Sequence, residues 1–473
     1  MEEASNEPNG PPWTGEGPVR LVKTGIEGLD ELLGGGFDEG SVILLAGPHG
    51  SGKTILAAQF IYNGVVKCNE VGIYISFSES KSDFFRNMLR LGMDFSRLEK
   101  EGKFRFIDAL NVLDRRALDL VFSHILEELS AIDFKRMVVD SLTAIERIID
   151  PGELRAFITA TIIGICKINK ITGMLIGDVI PESPNSVNSE VSFMADAVLV
   201  LEAQRLGEVT QRFLRVEKVR GRRTTYSKVE YVITDRGIVM HTPVRSLAAV
   251  KINGDVGIGV PDFDRKILMG GVKRGTITLI SGPVGTGKKV ILAEFAVSGI
   301  LNGERVLYVT YRDAVDEVRR FFSDLGHDVE ELEKKGLRIV YIDPSRNTPG
   351  RNYLALKEAY EAHRPDRVVI DEISIMDWLP RGEYVKLLND MISFFKSEGA
   401  TVMMSASVDL TKGMDNEVVK VVDNVIAMWV ERERGSMDRR ICTLKMKGKA
   451  HDDKIRRIEY KEGGIEVKDL DIY

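Results

Sequence analysis

Short, almost wholly apolar runs recur along the chain: VILLA (42–46), GIYIS (72–76), FRFID (104–108), MVVD (137–140), MLIG (174–177) and AVLVL (197–201). Each is too short for a helix and lacks the alternation of a strand with one wet face, which predicts strands of a parallel sheet covered on both sides. Helix-length segments separate them, the first reading TILAAQFIYNGV (54–65), so the pattern predicts an α/β architecture with crossover helices on both faces. In such a sheet the functional loops sit at the carboxyl ends of the strands. After residue 210 the pattern changes to the alternating, charge-rich segments FLRVEKVRGRR and VEYVITDRGIVM, which predict an antiparallel hairpin appended to the sheet edge.

The pattern then repeats. Gly40, Gly47, Gly52 and Lys53 fall on Gly275, Gly282, Gly287 and Lys288 at an offset of 235 residues. At nearly the same offset EVGIYISFSES (70–80) meets ERVLYVTYRDA (304–314), FRFIDAL (104–110) meets RIVYIDP (338–344), and RMVVDSL (136–142) meets RVVIDEI (367–373). A repeat of this kind decides the architecture. Two homologous domains are expected, over 20–245 and 246–473, after a Pro- and Gly-rich tail at 1–19 expected to be disordered.

GPHGSGKT (47–54) fits GxxxxGK[ST] and lies between the run VILLA and a helical segment. That order aims successive backbone N–H groups and a helix N-terminus at one anion. Gly47, Pro48, His49, Gly50, Ser51 and Gly52 are therefore candidate phosphate-binding residues, His49 through its backbone alone. Lys53 is expected to contact the β- and γ-phosphates of ATP, and Thr54 to ligate Mg²⁺. Asp140, closing MVVD, is the acid expected to hold the Mg²⁺ shell, with a helix N-cap as its plainer alternative. Glu79, just after GIYIS, is placed to face the γ-phosphate and orient water, or is an exposed loop glutamate. In the second copy, GPVGTGKK (282–289), Gly282, Gly285, Thr286, Gly287 and Lys288 persist, but Lys289 stands where the hydroxyl should be. An ammonium donates and cannot ligate a cation, so this loop is expected to hold nucleotide with impaired Mg²⁺ coordination. Arg312-Asp313 replace Ser78-Glu79 there, while Asp371-Glu372 keep the strand-end acid.

With 473 residues, 44 % of them apolar and 29 % charged, the chain can build two cores. No apolar stretch approaches the roughly 18 residues a membrane span requires, and no membrane insertion is expected. The three cysteines, Cys68, Cys166 and Cys442, form no CxxC pair, which fits a cytoplasmic protein. A net charge of −6 supplies no global attraction for nucleic acid. Arg212, Arg215, Lys218, Arg220, Arg222, Arg223 and Lys228 still form a local basic strip, so a DNA-dependent motor stays open as an alternative.

Taken together, the lead-in GIEGLDELLGGG, the loop GPHGSGKT, SFSES, VVDSLTAI and the tail LRVEKVRGRRTTYSKVEYVITDRGI resemble the KaiC-like family of tandem RecA-type ATPases, over residues 20–473. The resemblance implies a homohexameric double ring with nucleotide between subunits. One subunit gives the phosphate loop and its neighbour a Lys-x-Arg strand, here Lys218 and Arg220, with Lys445 and Lys447 in the second copy. It also implies a regulatory or signalling ATPase with a protein partner. Family members carry adjacent glutamates where this chain has Ser78-Glu79, which implies slow hydrolysis or reliance on Glu79. The Ser-Thr autophosphorylation pair aligns with Val419 and Lys420, ahead of Asp423, so no autokinase cycle is expected. A nucleotide-gated, non-catalytic scaffold is the remaining alternative.

Overall fold

The structure is a computed structural model that describes residues 20–112, 114–177, 187–222, 228–242, 253–413, 416–433, 436–461 and 464–470. The expected tail and the expected division at 245/246 lie outside the described residues. Those residues divide into two compact units, one holding those within 20–205 and 211–242 and the other those within 206–210 and 253–470.

In the first unit the strands of the large sheet are β1 (Val42–Ala46), β2 (Val71–Ser76), β3 (Phe104–Asp108), β4 (Phe134–Asp140), β5 (Thr172–Gly177), β6 (Ala197–Leu206), β7 (Val209–Val219), β8 (Lys228–Thr234) and β9 (Gly237–Met240). They form one sheet in the order β9-β8-β7-β6-β1-β5-β4-β2-β3. The six strands from β3 to β6 in that order are parallel, as the six apolar runs predict. The appended part is larger than a hairpin. VEYVITDRGIVM turns back on itself at Asp235-Arg236, so β7, β8 and β9 make three antiparallel strands. Gly237, at φ 93°, follows a turn too tight for the run to continue as one strand.

The uniform apolarity of β1 conceals an alternation between two buried faces. Ile43 and Leu45 enter a core with Leu56, Phe60 and Ile61 of the helix α1 (Lys53–Cys68). Val42, Leu44 and Ala46 enter the core on the other face, with Leu118, Phe122 and Ile158. Burying each large aliphatic or aromatic side chain in these layers contributes about 1.5–3 kcal/mol. The strand that carries the phosphate loop is thereby held from both sides.

The second unit repeats the plan with β10 (Ile277–Ser281), β11 (Val306–Thr310), β12 (Leu337–Tyr341), β13 (Arg367–Asp371), β14 (Thr401–Ala406), β15 (Asn424–Glu433), β16 (Ser436–Lys445), β17 (Arg456–Lys461) and β18 (Gly464–Asp469). Its order, β12-β11-β13-β14-β10-β15-β16-β17-β18, matches the first strand for strand. The helix α2 (Lys288–Leu301) corresponds to α1.

Candidate functional site

The phosphate loop leaves β1 after Ala46 and enters α1 at Lys53. Two glycines are required by the space around them. A Cβ on Gly47 would meet the carbonyl oxygen of Leu201 at 2.6 Å, and one on Gly52, which has φ 95°, would press on Ile233 at 3.1 Å. Gly52 begins α1 without a capping side chain, so the helix end presents its backbone rather than a side-chain oxygen. Lys53 lies across the loop and donates to the carbonyls of Gly47 (2.8 Å) and Pro48 (3.0 Å). The Ser51 hydroxyl donates to the same Pro48 carbonyl at 2.8 Å, which folds the loop into a nest.

A cavity of about 370 Å³ opens over this nest, lined by His49, Gly50, Gly52, Lys53, Thr54, Ile55, Ser78, Asp140, Ser141 and Ile233. Asp140, at the carboxyl end of β4, accepts from Thr54 Oγ1 at 2.9 Å, from Tyr74 at 2.7 Å and from Ser78 at 3.3 Å. A hydroxyl and a carboxylate in contact beside a phosphate nest are the oxygen donors that a hard divalent cation takes together with phosphate. The residues present therefore fit Mg²⁺-ATP.

Glu79 is placed differently. Its carboxylate accepts from Asn87 Nδ2 at 2.5 Å, and it is not among the residues lining the cavity. Burial raises its pKa above the usual glutamate range; the Asn87 bond opposes this, and the nearby charges of Asp140 and Asp83 add to it.

Lys218 and Arg220 lie toward the opposite end of the parallel strands from the loop. Lys218 donates to the carbonyls of Ser192 (3.1 Å) and Phe193 (3.0 Å), and Arg220 pairs with Asp196 at 3.1 Å. Asp196 also accepts from the N–H of Val42, which opens β1, whereas the phosphate loop begins beyond Ala46 at that strand's other end. Burial works against ionisation of Asp196, yet bonds from Lys167 and the Val42 N–H, with the charges of Lys167 and Arg220, keep its pKa below the ordinary value. The basic strip is largely neutralised as well: Arg215 and Lys228 pair with Glu202, and Arg222 with Asp38. Arg223 lies outside the described residues.

In the second unit a cavity of about 350 Å³ is lined by Val284, Gly285, Gly287, Lys288, Lys289, Val290, Arg312, Asp313, Phe321, Asp371, Glu372 and Ser407. Lys288 repeats the behaviour of Lys53 and donates to Gly282 and Pro283 at 2.6 and 3.2 Å. Thr286 donates to Pro283 at 2.9 Å, as Ser51 does to Pro48. Lys289 turns to Asp313, 2.5 Å away. Lys445 and Lys447 mirror Lys218 and Arg220, with Lys445 on the Val422 carbonyl at 2.7 Å and Lys447 on Asp423 at 2.8 Å.

Four tyrosines belong to these sites that motif reading passed over. Tyr231 of β8 donates to the carbonyl of Ser51, and Tyr460 of β17 to that of Thr286 at 3.0 Å, so the antiparallel extension braces each loop from behind. Tyr74 and Tyr308 donate to the strand-end acids Asp140 and Asp371 at 2.7 and 3.0 Å. The signal was available, because GIYIS and VLYVT align tyrosine on tyrosine.

A family model described as "ATPase: KaiC" matches residues 22–245 and again 256–471. The circadian clock oscillator protein KaiC of Thermostichus vulcanus is 29 % identical over 466 residues, covering 95 % of this chain and 89 % of that protein. The proteins of the same name from Nostoc and Synechococcus elongatus are 28 % and 27 % identical, each over 95 % of this chain and 89 % of their own length. No helix among the described residues is long and apolar enough to cross a membrane. Two matched repeats, two sheets of the same strand order and two phosphate loops at corresponding strand ends lead to one conclusion: the chain belongs to the KaiC family of P-loop ATPases.

Proposed function

We propose that the first domain hydrolyses Mg²⁺-ATP at subunit interfaces of a homohexameric double ring, and that the second domain holds nucleotide with little or no turnover. The observation that carries this reading is the contact of Thr54 with Asp140 beside the phosphate nest, against Lys289 with Asp313 at the corresponding place. In the first domain, Gly47 to Gly52 cradle the phosphates, Lys53 swings from the Gly47 and Pro48 carbonyls onto them, and Thr54 with Asp140 holds the cation. Mg²⁺, when bound, neutralises charge on the β- and γ-phosphates. Glu79 orients the attacking water once its Asn87 bond is released. Arg220, tied through Asp196 to the far end of its own β1, and Lys218 beside it on the Ser192 and Phe193 carbonyls serve the loop of a neighbouring subunit, where a cation stabilises charge on the transferred phosphoryl. Turnover is thereby coupled to assembly. The ring acts as a cytoplasmic regulatory ATPase that docks a protein partner, without autophosphorylation, because Val419 and Lys420 supply no hydroxyl.

A second reading, a nucleotide-gated scaffold, is favoured by one feature: Glu79 is engaged with Asn87 rather than lining the cavity. The deciding experiment is steady-state ATP hydrolysis with Mg²⁺ for wild type, Lys53→Ala and Lys288→Ala, with particle mass recorded in the same preparations. Loss of turnover in Lys53→Ala alone, in a particle of six subunits, supports the ATPase reading. ATP bound by wild type without turnover makes the scaffold the function.

A further inference from the structure

We propose that the second phosphate loop binds ATP without Mg²⁺, the ammonium of Lys289 serving as a built-in cation. This rests on the reading that both loops hold ATP. Lys289 occupies the loop position of Thr54, and its Nζ lies 2.5 Å from Asp313 Oδ2 and 4.7 Å from the centre of the Phe321 ring. It lines the same cavity as Lys288, Arg312, Asp313, Asp371 and Glu372. The ammonium is thus fixed among the carboxylates that would otherwise recruit a metal.

Those carboxylates are also satisfied by protein donors. Asp371 accepts from Tyr308 on one oxygen and from Ser405 on the other, each at 3.0 Å. Glu372 accepts from the Ser374 hydroxyl, and from the N–H and hydroxyl of Ser407 at 2.8 Å each. Burial pushes the Asp371 carboxyl above its ordinary pKa, and the charge of Lys289 is the first influence drawing it back down. No hydroxyl stands at the loop position of Thr54 here, so the pairing of Thr54 with Asp140 has no counterpart at that position. A divalent ion would instead face a positive charge it cannot displace. Phosphate oxygens meet no such obstacle, since an ammonium has three donors and Asp313 takes only part of that capacity. Arg312, on the same wall, adds a second cation that the first site lacks at the corresponding position, Ser78.

The test uses the full chain and counts and identifies the nucleotide, ATP or ADP, retained per chain after removal of free nucleotide, in Mg²⁺ and in EDTA, for wild type, Lys288→Ala and Lys289→Thr. Wild type is expected to keep about two nucleotides per chain with Mg²⁺, the one in the first loop as ATP or its hydrolysis product ADP, and about one ATP in EDTA. Lys288→Ala removes the molecule kept in EDTA, and Lys289→Thr makes its retention depend on Mg²⁺. Wild type that releases all its ATP in EDTA overturns the proposal without any variant, as does a retained molecule indifferent to Lys288→Ala. No ATP or ADP retained even with Mg²⁺ overturns the nucleotide reading of both loops, so the two failures are distinguishable.

Discussion

Thr54 Oγ1 donates to Asp140 Oδ2 at 2.9 Å, while the residue at the same loop position of the second repeat, Lys289, reaches Asp313 at 2.5 Å. A hydroxyl retains lone pairs for a metal and an ammonium retains none, so this exchange, together with Arg312-Asp313 for Ser78-Glu79, separates the chemistry of the two sites. Installing the exchange in the first domain tests its sufficiency. Thr54→Lys should lower ATP turnover by about 100-fold or more, the scale of removing one electrostatic contact to a developing charge. ATP should remain bound, as measured by retention on the purified protein. Turnover within twofold of wild type would show that Thr54 is not needed for the reaction.

Arg220 is anchored by Asp196 to the amino end of the strand whose carboxyl end carries the phosphate loop. A residue so placed cannot serve its own subunit's loop, which gives a complementation test. Arg220→Ala and Lys53→Ala should each be inactive as pure proteins. Mixed and reassembled in equal amounts, they should regain about a quarter of wild-type turnover, since random neighbours pair an intact loop with an intact arginine that often. No recovery, with mixed particles confirmed by mass, would place Arg220 outside the reaction.

Glu79 has a pKa raised mainly by burial. If it orients water as a carboxylate, turnover must fall as pH drops through this raised value and Glu79 takes up a proton. The acid limb of the kcat/KM profile, which reports the free enzyme with Glu79 still bonded to Asn87, should accordingly lie above the ordinary glutamate range. Glu79→Gln should lose turnover and the limb together, while Asn87→Ala, which removes the bond that favours ionisation, should move the limb further up. An acid limb unchanged in Asn87→Ala would assign it to another group.

The parallel sheet, the duplication and the loop residues were legible because each leaves a local mark: an apolar run, a repeated string, a glycine that tolerates no Cβ. Legibility ended where a function depends on where a side chain turns. Nothing in SFSES tells that Ser78 meets Asp140 while Glu79 meets Asn87, eight residues on in the next helix. The alternation of VEYVITDRGIVM was read correctly as strand, but its turn at Asp235-Arg236 was missed, and with it Tyr231, which braces Ser51 from β8. Arg136 and Arg367 open the aligned segments RMVVD and RVVID, yet a charged residue at a strand start reads as solvated until the fold buries it.

Those two arginines support the last prediction. Arg136 is wholly buried; it donates to Glu70 at 2.6 Å and to the carbonyls of Phe60 and Lys23 at 2.7 Å each, with its guanidinium 4.5 Å from the Phe60 ring centre. Arg367 repeats this with Glu304, Gly257, Phe295 and a ring distance of 4.8 Å. Each lies against a glycine of the helix that follows the phosphate loop, and the two glycines differ in clearance. A Cβ on Gly64 would overlap the Arg136 guanidinium itself, whereas one on Gly299 would come to 2.9 Å from Arg367 Cδ and Val306 Cγ2. Alanine in place of a mid-helix glycine favours the helix by about 1 kcal/mol. Disrupting a buried ion pair costs about 3–5 kcal/mol. Gly64→Ala should therefore destabilise the first domain by about 2–4 kcal/mol, while Gly299→Ala, which forces a smaller displacement of Arg367 and Val306, should cost the second domain less. Because two domains need not unfold together, the readout is amide hydrogen exchange along α1 and α2 rather than one melting temperature. Exchange along α1 accelerated more by Gly64→Ala than exchange along α2 is by Gly299→Ala is the expected result. Equal acceleration in both would mean that the arginine staple does not set the stability of the helices that carry the loops.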